Sequence, residues 1–322
     1  MRVKSLSKEK RSVLILILIV AILTSLFLFL GLTGKNINYF FPRRLRKVLA
    51  VFLASYCVGY SSVSFQTITN NKILTPSIIG LDSLYLFLQT IIVFFFGNAG
   101  VSKLTGLPNY LLSIGLMVLC SFFLFFGMFK GNSKNLYFMV LAGTIFGGLF
   151  SGLASFMQVL MDPNEFSLVQ GKMFASFNQM NTDLLSISIV IVAVIAFLAR
   201  RDFSKLNALG LGQAQAISLG VPYRSTVFRT LTYIAILTAV STALVGPITF
   251  LGILVVSIAR NLVSTYRHEI RVPIAVLLGA LALLGGLLFV ERILHHSTQI
   301  SVVINFIGGC YFIYLVLKEG KS

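Results

Sequence analysis

Apolar positions along this chain neither alternate nor recur on one helical face. They run on in blocks of about 20 residues, each long enough to cross a ~30 Å hydrocarbon core as a helix. The blocks are 13–33, 48–68, 78–97, 109–129, 137–160, 183–199, 226–245, 250–266, 273–293 and 300–317. Residues 231–263 are apolar for too long to be one span. Gly246-Pro247 interrupts them, and proline lacks the donor that a continuous helix needs. Two helices joined by a tight external turn are expected there. The pattern predicts an all-α polytopic membrane protein with about ten transmembrane helices, forming one domain over 1–322. The longest external connection is 161–182, with Asp162, Pro163 and Glu165.

Composition agrees. Of 322 residues, 57% are hydrophobic and 11% charged, against about 25% charged in soluble proteins. Too little polar surface exists to cover a water-facing globule. Residues 1–12 are basic and lead into 13–33. That run is too long for the core of a typical secretory signal, and no small-residue cleavage site clearly follows. It reads as a retained first span with a cytoplasmic leader at 1–12.

The net charge of +17 would suggest nucleic acid in a soluble domain. Here the basic residues lie mainly in short loops between apolar blocks, so they read as orientation signals and no nucleic-acid partner is expected. With the N-terminus inside, internal segments hold about 18 of the 26 Lys and Arg residues. One external loop departs from the rule, with Lys35, Arg43, Arg44, Arg46 and Lys47 together.

Candidate chemistry is sparse. No phosphate-binding G-x-x-x-x-G-K-[ST] loop occurs, so any ATPase would be a separate subunit. Asp82 and Asp183 lie near expected span ends and Lys72 in a loop, whereas ion-coupled carriers usually keep ionisable groups at membrane depth. Cys57, Cys120 and Cys310 fall singly in apolar blocks, and His295-His296 are adjacent in a loop. Neither set has the spacing of a metal site, and no enzyme activity is expected. The 29 phenylalanines read as lipid-facing or packing residues.

The stretch Leu206-Asn207-Ala208-Leu209-Gly210-Leu211-Gly212-Gln213-Ala214-Gln215-Ala216-Ile217-Ser218-Leu219-Gly220 stands apart. It is nearly uncharged, rich in small residues and predicted helical, inside a basic loop at 200–228. By itself it also fits an interfacial amphipathic helix. It resembles the LNxLxLGxxxAxxLG loop of the vitamin B12 and iron–siderophore importer permeases, the FecCD-type subunits of ATP-binding-cassette (ABC) transporters. Further resemblances follow in order. Residues 43–51 are similar to RLPRxLA, with Arg46 at the proline. Residues 66–80 are similar to Q…NPLAxPxxLG, matching at Asn71, Pro76 and Gly80, with Lys72 at the first proline. Leu141-Ala142-Gly143 matches the opening of the fifth span. Residues 246–260 are similar to GxIgFvGLvvPHiaR, with Val256-Ser257 at the Pro-His pair. That last departure, with the GPITFLG run, is closest to the branch importing catechol-type siderophores such as petrobactin and anguibactin. Residues 302–318 are similar to the family's final span.

The resemblance implies a multi-pass permease in a bacterial cell membrane, moving iron–siderophore into the cytoplasm. Its implied partners are an ATPase dimer that uses the ATP, an extracytoplasmic siderophore-binding protein, a second homologous permease subunit (possibly a paralogue) and membrane lipid. No cofactor or metal is implied for the chain itself. The implied coupling residues are Leu206, Asn207, Leu209, Gly212, Ala216, Leu219 and Gly220. Asn71, Ile73 and Ser133 would form the cytoplasmic gate, and Arg44, Lys47 and Arg292 would receive the binding protein. An ion-coupled secondary transporter of a small organic substrate is the alternative.

Overall fold

The computed structural model describes residues 2–31, 37–104, 106–130, 136–178, 180–263, 265–295 and 298–319. These form α-helices without strands. In chain order they are α1 (Arg2–Phe29), α2 (Ile37–Thr69), α3 (Leu81–Leu104), α4 (Leu107–Lys130), α5 (Leu136–Val159), α6 (Pro163–Lys172), α7 (Thr182–Arg201), α8 (Phe203–Leu209), α9 (Gln213–Ser218), α10 (Tyr223–Val245), α11 (Leu251–Leu262), α12 (His268–Arg292) and α13 (Ile300–Glu319). Helices are the necessary solution, because lipid offers no partner for an unpaired backbone group.

Each of the ten apolar blocks becomes a helix. Seven are long and apolar enough to cross a membrane among the described residues; Leu81–Gly97, Leu107–Phe123 and Leu251–Leu262 are shorter apolar stretches. In α3 the backbone breaks at Gly97, whose φ of 56° is outside the helical range. At 12 residues, α11 rises only about 18 Å and is shorter than the 250–266 block expected. The Gly246-Pro247 interruption is present: α10 ends at Val245, whose carbonyl accepts from the Ser176 N–H. The 161–182 connection is not all loop. It contains α6, started by Pro163 and by the Asp162 carboxylate accepting from the Asn164 N–H at 2.9 Å.

α2 lies at the centre, with 78% of its apolar window buried against 17% for α1. Its small residues let neighbours approach closely. A Cβ on Gly59 would stand 3.1 Å from the Val276 backbone nitrogen, and one on Gly279 3.2 Å from Ser55 Cβ, which seats α12 along α2. The Thr69 hydroxyl donates to the Phe65 carbonyl one turn back, which satisfies that side chain inside the helix.

The connection from α2 to α3 does not remain at the membrane surface. After α2 ends, residues 70–75 lead into a 3-10 turn, Pro76–Ile79, and then Gly80 in left-handed conformation. Gly80 fits against the middle of α5: a Cβ there would overlap Gly147 Cα. Leu81 and Leu84 pack with Met117 from the middle of α4 and Ala239 of α10. α3 therefore begins deep in the bundle, and Asp82 in its first turn is only 8% exposed. Asp82 is at a helix end as expected; that this end is buried was not expected.

Candidate functional site

The 206–220 stretch is two short helices rather than the one expected. α8 and α9 meet at Gly210-Leu211-Gly212, where Gly212 takes φ 106°, ψ 161°, a conformation open essentially to glycine alone. α9 ends in a Schellman motif: the Gly220 N–H donates to Ile217 O and the Val221 N–H to Ala216 O, with Gly220 at φ 77°. The two glycines thus set the shape of the loop.

The fold divides the implied coupling residues. Leu206, Leu209 and Ala216 are 0%, 4% and 0% exposed and fasten the loop to the bundle. Leu219 and Gly220 are exposed. Two residues outside the implied set, Leu211 at 60% and Ile217 at 53%, join Leu219 at 63% as large exposed hydrophobics of this loop. Their spacing across the glycine break gives no single helical face, so a one-helix reading misses them. Behind the loop, the Asp202 carboxylate is 3% exposed. It pairs with Lys205 at 2.8 Å and Arg229 at 3.3 Å, joining α8 to α10.

Asn207 faces inward, toward α12. Its Oδ1 accepts from the His268 N–H at 2.8 Å and lies 2.7 Å from His268 Nδ1. Its Nδ2 donates to both Glu269 oxygens at 3.1–3.2 Å. The first turn of α12 is therefore capped from α8. The His268 ring continues the chain of contacts, with Nε2 3.0 Å from Thr67 Oγ1 on the last turn of α2. Arg260 of α11 bonds Gln66 one residue earlier. No periodicity signalled His268; its role follows from the tertiary approach of three helix ends.

Just beyond Thr67 lies the implied gate segment. Asn70, at φ 46°, closes α2: its N–H donates to Thr67 O, and the Asn71 N–H to Gln66 O. Asn71 Oδ1 accepts from the Ile73 N–H at 2.9 Å, so one implied gate residue holds the other in an Asx turn. A cavity of about 310 Å³ places Asn71 and Lys72 beside Gly210, Arg260, His268 and Arg271. Coupling loop and gate segment thus border one space. Ser133 lies outside the described residues.

At the opposite end the three implied docking residues come together around the C-terminus of α1. Arg44 Nη1 donates to the carbonyls of Phe27, Leu28 and Leu30 at 3.1, 3.1 and 2.9 Å. Arg292 Nη2 donates to Leu30 O at 2.6 Å. Lys47 pairs with Glu291 at 2.8 Å. Two arginines satisfy carbonyls left free at a helix end, where positive charge is also favoured by the helix dipole. The basic stretch expected as a loop thus stands, from Arg43 to Lys47, in the first turns of α2, and Arg44 has a local reason to be there. Elsewhere, against α3, Lys172 of α6 reaches into a polar pocket and donates to Gln89 Oε1 at 2.6 Å; burial draws its amine below the ordinary lysine range. No group of three or more His, Cys, Asp or Glu side chains among the described residues could hold a metal.

Residues 12–318 match the FecCD transport family. The chain is 47% identical to the petrobactin import system permease protein YclO of Bacillus subtilis strain 168, over 98% of this chain and 99% of that protein. It is 36% identical to the petrobactin import system permease protein FatC of Bacillus anthracis, over 86% and 78%. It is 25% identical to the B. subtilis petrobactin import system permease protein YclN, over 95% and 97%. Among solved structures, a metal-chelate type ABC transporter chain in an inward-facing conformation shares its fold, with TM-score 0.80, 24% identity and coverage of 96% and 99%. The bundle of apolar helices and the agreement along nearly the whole length establish that this chain, a multi-pass membrane permease, belongs to the FecCD transport family.

Proposed function

We propose that this permease is one membrane half of an ATP-driven importer whose cargo is a ferric catechol-type siderophore, petrobactin or a near relative. The observation that carries the reading is the contact chain Asn207–His268–Thr67, which ties an exposed apolar loop to the segment bearing Asn71 and Ile73. Two relatives named as petrobactin import permeases, at 47% and 36% identity, support the choice of cargo.

In this reading Leu211, Ile217 and Leu219 sit in a groove of the partner ATPase, which binds and hydrolyses the ATP; the permease itself needs no cofactor. Closure of the ATPase dimer displaces α9. α8, joined to α9 at Gly210-Leu211-Gly212, shifts with it, and Asn207 passes the displacement to α12 and, through His268, to the end of α2. The Asn71–Ile73 turn then shifts at the cytoplasmic end of the pathway. A second, homologous permease completes that pathway. YclO and YclN, two permeases of petrobactin import in one organism, both resemble this chain, which supports a paralogue in that role. An extracytoplasmic siderophore-binding protein meets the end bearing Arg44, Lys47 and Arg292. The two arginines use backbone carbonyls as acceptors, so their charge is available to steer an acidic partner.

Cargo class is tested by uptake of ⁵⁵Fe-petrobactin in cells whose only importer contains this permease. Unlabelled ferric catechol siderophores are expected to compete and ferric hydroxamates to leave uptake unchanged. Equal competition by hydroxamates would overturn the cargo assignment.

A further inference from the structure

We propose that Asp82 and the hydroxyl groups around it form a binding site for a monovalent alkali cation, of sodium type, inside the permease subunit. The site is separate from the cargo pathway reading and does not depend on it.

Its centre is a carboxylate with no countercharge. Asp82 is 8% exposed, and among the described residues it makes no ion pair with lysine, arginine or histidine. An isolated charge this far from water is costly, so such a group is protonated, paired or on a cation. Its oxygen neighbours are slack. Thr242 Oγ1 stands 3.5 Å from Oδ1, and Thr249 Oγ1 3.3 Å from Oδ2, against about 2.5–2.7 Å for a hydroxyl committed to a carboxylate. Ser77 adds a third hydroxyl. These oxygens surround the carboxylate without neutralising it.

A second observation is independent of the acid. Thr75 and Ser61 are each 2% exposed. Both hydroxyl oxygens are buried without a hydrogen-bond partner, and both residues line the cavity that Asp82 lines. An orphaned buried hydroxyl is costly, so two in the wall of a cavity that a carboxylate without countercharge also lines point to a common partner. Size restricts that partner. The cavity holds about 30 Å³, room for roughly one or two waters and far too small for a siderophore. Water would satisfy the hydroxyls but would not hold the carboxylate in its charged form. The ligands are all oxygen, the preference of hard cations, and one carboxylate balances one positive charge.

The ligands come from four parts of the fold: Ser61 on α2, Thr75 and Ser77 in the re-entering segment, Asp82 on α3, and Thr242 and Thr249 at and beyond the end of α10. Bound cation therefore fastens the segment that follows Ile73 to the fixed helices. In the absence of cation, that segment loses its central tie.

The test uses the permease in lipid nanodiscs, without cargo. Sodium, potassium or N-methylglucamine chloride is titrated at constant ionic strength. Thermal unfolding and hydrogen exchange of residues 70–80 are followed. Sodium is expected to raise the melting temperature saturably and to slow exchange in 70–80, with N-methylglucamine inert. Thr249→Val and Ser61→Ala, which retain the carboxylate, should each raise half-saturation by about tenfold (about 1.4 kcal/mol). Asp82→Asn should abolish the response. A purely structural Asp82, serving the first turn of α3, needs no cation. Identical melting and exchange in all three salts would overturn the site, as would a sodium response that Thr249→Val and Asp82→Asn both retain.

Discussion

Replacing Asn207 with alanine is expected to stop uptake while leaving the permease folded and bound to its ATPase. The side chain accepts from the first N–H of α12 and the His268 ring, and donates to Glu269. His268 is only 1% exposed, so alanine leaves buried donors unmet, at about 1–3 kcal/mol each. α8 stays seated through Leu206 and Leu209. What is lost is the rigid link from the loop to α12 and α2. Basal ATP hydrolysis should persist and uptake fall at least tenfold, a coupling loss of about 1.4 kcal/mol or more. Asn207→Asp keeps an acceptor for His268 but sets a carboxylate against Glu269, so an intermediate defect is expected. Normal uptake by Asn207→Ala, measured beside ATPase activity in the same proteoliposomes, would remove this linkage from the mechanism.

The second large effect is expected at Ile217. Large exposed apolar residues gathered in one loop mark a contact area, and buried apolar anchors dominate such contacts. Ile217→Arg should abolish co-purification of the ATPase, because the guanidinium would be desolvated in the joint without a countercharge. The permease alone should melt as wild type, since residue 217 is 53% exposed. Ala216→Arg is the contrasting variant. Ala216 is 0% exposed, so arginine there should disrupt the fold of the loop itself rather than report on the ATPase. If Ile217→Arg still retains the ATPase, this apolar face lies against lipid and the motor docks elsewhere.

The distinction between residues 216 and 217 shows where sequence reasoning stops. Apolar blocks, the Gly246-Pro247 interruption and the loop motif are local features, and all were legible. The division of 206–220 into two helices depends on backbone torsion at Gly212, for which two nearby glycines were the available signal. The Asp162-Pro163 start of α6 is also a local cap signal, set in an otherwise polar connection. The depth of Asp82 was not legible. It arises because Gly80 fits against Gly147, a contact between distant positions that leaves no periodic trace. Arg44 and Arg292 illustrate a third limit. Their charge was evident, but that they hold the end of α1 appears only once three chain segments meet.

The central claim is that ATP hydrolysis outside this chain drives cargo through it, with force entering by α8 and α9. It is tested most directly in proteoliposomes containing this permease, its paralogous partner, the ATPase and loaded binding protein. Accumulation of ⁵⁵Fe-petrobactin should require ATP, be absent with a non-hydrolysable analogue, and survive collapse of proton and sodium gradients. Accumulation that proceeds without ATP and disappears when those gradients are collapsed would contradict the account.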